Sequence, residues 1–230
     1  MSSAAVADSR EALWNNRAMS NRYWIIVVII AVAAAGAGAY LARMSRNAEA
    51  PALESGTFLP APKVLADFNL VDTTGAPATL SVLRGHPSLV FFGFTHCPDV
   101  CPTTLAVLTE VQKQVIAVNP SLAGLKVALI SVDPERDTPA QLGSYIAAFK
   151  GDLIGLTGTA PEIVDVSRSF GVAASKVDLG GGNYTMDHSA TIFALDSGGR
   201  VIAVFTPPFR AEALRNDIAL LAAALEGGRA

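Results

Sequence analysis

One stretch limits what this chain can become: Leu89 to Phe94, followed by Thr95-His96-Cys97-Pro98-Asp99-Val100-Cys101-Pro102. The first part is apolar and rich in β-branched and aromatic residues, the pattern of a buried strand. The second part breaks at Thr95-His96 and predicts a helix from Pro98, whose fixed φ and missing N–H suit a first helical turn. Both cysteines of the chain, Cys97 and Cys101, fall at this strand-to-helix switch. A helix N-terminus carries partial positive charge, so a thiol placed there is expected to ionise below its ordinary pKa.

Hydrophobic residues make up 51% of the 230, and one segment carries much of the excess. Residues 23–41 run for 19 positions without a charge, enough at about 1.5 Å per residue to cross a hydrocarbon core of roughly 30 Å. Tyr23, Trp24 and Tyr40 stand near its ends, as interfacial aromatics do. A cleaved signal peptide has a shorter apolar core nearer Met1. Ala37-Gly38-Ala39 would fit such a cleavage, but an uncleaved transmembrane anchor over 23–41 is the expectation. Arg10, Arg17 and Arg22 before the span, against Arg43 and Arg46 after it, favour a cytoplasmic N-terminus.

Residues 1–22 read as a tail. Residues 42–62 mix Ala, Glu and Ser with Pro51, Pro60 and Pro62 and read as a linker, so the globular domain is expected over 63–230. Those 168 residues hold 12 Lys+Arg against 16 Asp+Glu with no basic cluster. That balance leaves no footprint for nucleic acid.

Within the domain, Asp67–Val71 alternates into a turn at Asp72-Thr73-Thr74-Gly75, with Ala78–Leu80 as its hairpin partner. After the strand at Leu89–Phe94 comes a helix from Pro98 to Val118. A second apolar strand, Lys126–Val132, reads as covered on both faces. A helix then runs to about Phe149, capped by Thr138 or Asp137, and another spans Pro161–Phe170 and stops at Gly171. Lys176–Asp187 reads as a glycine-rich loop. Strands Thr191–Leu195 and Val201–Phe205 form a hairpin around Gly198-Gly199, and Arg210–Leu225 closes the chain as a helix. This order predicts a mixed α/β sheet with helices on both faces, a thioredoxin-like fold.

Cysteines four residues apart on a helix have Cβ atoms about 5–6 Å apart, while a disulfide needs about 3.5–4.5 Å. A bridge between Cys97 and Cys101 would therefore be strained and easily reduced. As a structural bridge it would gain little from so short a loop. Two soft thiolates on one face equally suit Cu(I) or Zn. Of the three histidines, His86 lies in a turn, and His96 points away from Cys97 if the chain is extended there. His188 leads into the strand Thr191–Leu195. In a thioredoxin-like sheet that strand neighbours the one before the cysteines, so His188 comes up beside Cys97 and completes a Cys2His set.

Three motifs in this order, Thr95 to Pro102, Ser131 to Pro139 and Asp187-His188-Ser189, resemble the Sco/SenC family. Its members are membrane-anchored, thioredoxin-fold copper proteins that help assemble the copper centre of cytochrome c oxidase. The resemblance covers about residues 63–225. It implies copper as the bound ion and Cys97, Cys101 and His188 as its ligands. Asp133 and Asp187 are then candidates to orient a ligand through a hydrogen bond, Met186 is a candidate thioether donor, and Tyr184 is a packing residue. Thioredoxins carry Cys-x2-Cys and a proline just before the strand that here begins at Thr191. This chain has one more residue between its cysteines and His188-Ser189-Ala190 at that place, departures that favour a metal over a peptide disulfide.

The expected function is a copper metallochaperone that delivers its ion to the copper-bearing subunit of the oxidase. The alternative is a thiol:disulfide reductase for that subunit's cysteines, in which Cys97 attacks and Cys101 resolves. Other copper chaperones and thiol reductants are the further partners the resemblance implies. The expected location is a bacterial inner membrane with the domain in the periplasm. The mitochondrial inner membrane facing the intermembrane space is the alternative; Asp8 and Glu11 interrupt the acid-free composition of a transit sequence.

Overall fold

The computed structural model describes residues 23–40 and 51–227. The expected tail, Leu41, the first part of the linker (42–50) and the last three residues lie outside the described residues. The chain divides into two units, Met1–Glu49 and Ala50–Ala230. In the first, helix α1 (Tyr23–Tyr40) is long and apolar enough to cross a membrane. Its residues are exposed except Val27, which is half-buried, and its run is apolar on every face.

The second unit is built on one mixed sheet. Its strands are β1 (Gly56–Lys63), β2 (Leu70–Asp72), β3 (Pro77–Ala78), β4 (Ser88–Gly93), β5 (Lys126–Ser131), β6 (Leu153–Thr157), β9 (Ile192–Leu195) and β10 (Val201–Phe205). Two more, β7 (Ala174–Gly180) and β8 (Asn183–His188), pair only with each other. Four helices complete it: α2 (Val100–Val118), α3 (Pro139–Ile146), α4 (Ala160–Phe170) and α5 (Ala211–Gly227). The sheet order is β1-β10-β9-β4-β5-β6-β2-β3. Strands β4, β5 and β6 run parallel, joined by helices, and β9 runs antiparallel to β4 with Val90 opposite Phe193 and Phe91 opposite Ile192.

Strand β4 is buried at all six positions, because it lies mid-sheet with helices above and below. Its side chains alternate between faces. Phe92 packs edge-on against Phe170 of α4 at 5.1 Å, whereas a Cβ on Gly93 would point at Cys101 of α2. Helices α2 and α4 therefore cover opposite faces, as the thioredoxin-like reading requires.

Three expectations change. The segment read as the end of a linker contains β1, which pairs with β10 and makes an outer strand of the sheet. Leu53, Phe58 and Leu59 pack on the core, and Pro60 and Pro62 are tolerated because an edge strand has N–H groups to spare. The segment read as a glycine-rich loop is the β7–β8 ribbon. Gly180, Gly181 and Gly182 all have φ between 64° and 83°, so the glycines make only the tip and leave their flanks free to pair. Finally, β3 ends at Ala78, and Leu80 starts a 3-10 turn with Thr79 as its cap rather than continuing a hairpin.

Candidate metal centre

The helix after β4 begins at Val100, two residues later than Pro98 suggested, so Cys97 lies in the approach and Cys101 in the first turn. Asp99, the residue at the cap position, makes no capping bond to a backbone N–H. The Cys97 sulfur takes that place: the Cys101 backbone N–H donates to it at 3.3 Å. Cys97 thus sits over the positive end of α2, half-exposed, while Cys101 is fully buried. Both thiols are free.

Burial overrides the helix dipole at Cys101. Desolvation disfavours a buried thiolate, and it pushes the Cys101 thiol well above its ordinary value. The expectation of a lowered pKa is therefore reversed at this residue. A metal ion is the kind of partner that removes such a proton, because its charge replaces the proton's and needs no water.

His188 closes the site from β8. Its Nε2 lies 3.6 Å from the Cys101 sulfur, and its ring stands edge-on to Phe91 and Phe94 at 6.1 and 5.9 Å. The Ser189 carbonyl oxygen is 3.3 Å from Nδ1. A carbonyl only accepts, which assigns the ring proton to Nδ1 and leaves the Nε2 lone pair facing the sulfur. Burial holds His188 below the ordinary histidine range, so the neutral, ligating form is favoured. For a zinc-sized ion, bonds of about 2.3 Å to sulfur and 2.0–2.1 Å to nitrogen put two such donors about 3.5–3.8 Å apart at tetrahedral to trigonal angles. The Cys101–His188 pair has that spacing already, and a two-sulfur, one-imidazole set suits copper.

The remaining candidates are placed as follows. Asp133 is buried at 2% exposure and accepts from Arg136 Nε and, at 2.8 Å, from the Tyr184 hydroxyl, not from a ligand. Asp187 is exposed on β8, and the Nδ1 partner of His188 is Ser189 rather than Asp187. Met186 packs on the core. His96 is turned to Thr95 Oγ1 at 3.0 Å and to Asp137 Oδ1 at 3.8 Å; His86 contacts Ser88. Ligand atoms of His96, Asp133 and Asp137 lie within 4.8 Å of one another, but hydrogen bonds already occupy both carboxylates.

Two residues of importance here were not singled out from the sequence. Asp137 is no helix cap, since Thr138 caps α3. Asp137 is fully buried and accepts from Thr95 N–H (3.0 Å), Thr95 Oγ1 (2.6 Å) and Ser131 Oγ (2.6 Å). Arg136 reaches across to β8, where Nη1 donates to the Tyr184 carbonyl oxygen at 3.0 Å. The available signal was the density of charge in Asp133-Pro134-Glu135-Arg136-Asp137 just after a strand whose centre, Val127–Ile130, is wholly apolar.

Fold and site together define a thioredoxin-like domain with a cysteine pair at the turn after its central parallel strand and a histidine against the second cysteine. The SCO1/SenC family model matches residues 58–223, and the chain belongs to that family. An SCO2-like protein of Rickettsia conorii is 36% identical over 201 residues, 84% of this chain and 97% of the relative. The copper-bound ScoI of Bradyrhizobium japonicum is 40% identical, covers 68% of this chain and 98% of its own, and superposes with a TM-score of 0.61. Copper-bound ScoI of Arabidopsis thaliana is 29% identical over 71% of this chain and 98% of its own, with a TM-score of 0.66.

Proposed function

We propose that this chain is a membrane-anchored copper carrier. It takes up one copper ion through Cys97, Cys101 and His188 and passes it to the copper-bearing subunit of cytochrome c oxidase during assembly. The observation that carries the reading is the 3.6 Å approach of His188 Nε2 to the Cys101 sulfur. It is supported by membership of the SCO1/SenC family and by the copper held in the ScoI relatives. Half-exposed Cys97 is the point at which a partner's ligands enter, and transfer is a ligand exchange at one ion. In this reading α1 spans a bacterial inner membrane, and the domain faces the periplasm.

The test is a copper titration of the reduced full chain in detergent, beside C97S, C101S and H188A. One ion per chain is expected, with affinity falling about 10–100-fold or more in each variant. An H188A protein that binds copper as the parent does would sink the Cys2His site.

A second reading, thiol:disulfide reductase, is favoured by one observation: Cys97 is accessible while Cys101 is buried behind it. That is the arrangement of an attacking thiol and a resolving one. In H188A, copper affinity should collapse while reduction of a model disulfide largely survives.

A further inference from the structure

His188 stands on a ribbon that is not part of the main sheet. A lone two-stranded ribbon is marginal in water, so its position depends on what fastens it. On the α4 side it is backed by a cleft of about 580 Å³, lined by Ile163 and Val164 of the helix and by Ser175, Lys176 and Met186 of the ribbon. Packing on that side is therefore incomplete.

The fastening comes from the turn after β5, whose Asp133, Pro134 and Glu135 border that cleft. Arg136 Nη1 donates to the Tyr184 carbonyl oxygen at 3.0 Å, and its guanidinium carbon lies 3.8 Å from the Tyr184 ring centroid. Its Nε bonds to Asp133, whose other oxygen accepts the Tyr184 hydroxyl at 2.8 Å. Tyr184 precedes His188 by four residues on β8, so both side chains stand on the same face of the ribbon. Lys176 adds an exposed pair with Glu135. The same turn holds the other half of the site, because Asp137 fixes Thr95, two residues before Cys97.

We propose that Arg136 is a positioning residue for His188. With Asp133 it holds Tyr184 by its carbonyl oxygen, its ring and its hydroxyl, and sets the imidazole of His188 within bonding range of Cys101. With the grip closed, copper has three protein donors. With it open, the ion is left to two sulfurs, and a partner's ligand can take the vacated position. This proposal rests on the copper reading above.

The full chain in detergent, with R136Q, R136K, Y184F and H188A, tests it. Copper affinity in R136Q should fall about 10–100-fold, towards H188A, and the imidazole-nitrogen coupling in pulsed EPR of the Cu(II)-loaded protein should weaken. R136K, which keeps the charge but not the planar fork, should not restore either, and Y184F should fall between R136Q and the parent. In the metal-free protein, amides of Tyr184–His188 should exchange at least tenfold faster in R136Q while those of β4 are unchanged. Parental affinity and coupling in R136Q overturn the proposal. Should R136Q fail to fold, parental values in Y184F and R136K overturn it equally. If H188A binds like the parent, the ligand set is wrong; unchanged β8 exchange in R136Q then still refutes the grip.

Discussion

The Cys101 sulfur and His188 Nε2 lie 3.6 Å apart although 87 positions separate them in the chain. The sheet produces this proximity. Strand β4 delivers the cysteines to one end, and β9, its antiparallel neighbour, begins at that same end just after His188. The sulfur of Cys101 and the imidazole of His188 are thus already neighbours in the fold, with Cys97 bound to the first turn of α2 through the Cys101 N–H.

Gly93 is what makes room for that sulfur. A Cβ there would lie 3.1 Å from Cys101 Sγ, 3.0 Å from Phe91 and 3.2 Å from Leu129, all of them fully buried and without freedom to yield. Gly93→Ala should cost about 1–3 kcal/mol, as overpacking does, and weaken copper binding as well. Thermal denaturation and copper titration of the same variant check both effects. A melting point within about a degree of the parent would refute the crowding.

Asp137 anchors the approach to Cys97. Asp137→Ala leaves the Thr95 N–H, the Thr95 hydroxyl and the Ser131 hydroxyl without their acceptor. At about 1–3 kcal/mol for each buried donor left unpaired, the loss should reach at least about 2 kcal/mol in denaturant unfolding. Alkylation of Cys97 should also speed up, because its loop is no longer tied to the sheet. Unchanged stability would show that solvent replaces the carboxylate.

The domain should need residues before Lys63. Asp217 on α5 is fully buried and accepts from Glu54 N–H (2.7 Å), Ser55 N–H (2.8 Å) and Ser55 Oγ (2.7 Å). A chain starting at Lys63 would lose those partners and β1 together, leaving a buried charge unpaired at a cost of roughly 3–5 kcal/mol. Soluble expression and urea midpoints of chains starting at Ala50 and at Lys63 decide the matter. Equal midpoints would make β1 an ornament of the sheet.

Glu162 ties α4 to the acid limb of stability. Its carboxylate accepts from both the backbone N–H and the hydroxyl of Thr159 at 2.7 Å, and these bonds, the backbone one first, hold its carboxyl below the ordinary 4.5. The folded state therefore binds this proton more weakly than the unfolded chain does. Its contribution is complete above pH 4.5 and is lost as pH falls through the lowered value. Glu162→Gln should lose part of the helix cap at pH 7 and show a shallower fall in melting temperature below pH 4.5. Parallel pH profiles would rule this out.

Much was legible because it depends on local pattern. The apolar run into Cys97 could be little other than a central strand, since six consecutive buried positions leave no solvent face. That His188 reaches the cysteine turn followed from strand order, although the sulfur it meets is that of Cys101 and not of Cys97. The apolar helix α1 was legible for the same reason, a long run with no charge.

What the sequence left open depended on who sits next to whom. The glycines of 180–182 look like a loop until their neighbours pair around them. Pro60 and Pro62 look like a tether until an open edge on β10 accepts the strand. The helix dipole argues for a low thiol pKa at Cys101, but burial beneath β4 decides the opposite. The roles of Arg136 and Asp137 are long-range as well: one reaches Tyr184, 48 positions on, and the other Thr95, 42 positions back. Periodicity and turn chemistry act over a few residues and are written in order along the chain. Desolvation and hydrogen-bond partnership act across space, and only the closed sheet determines them.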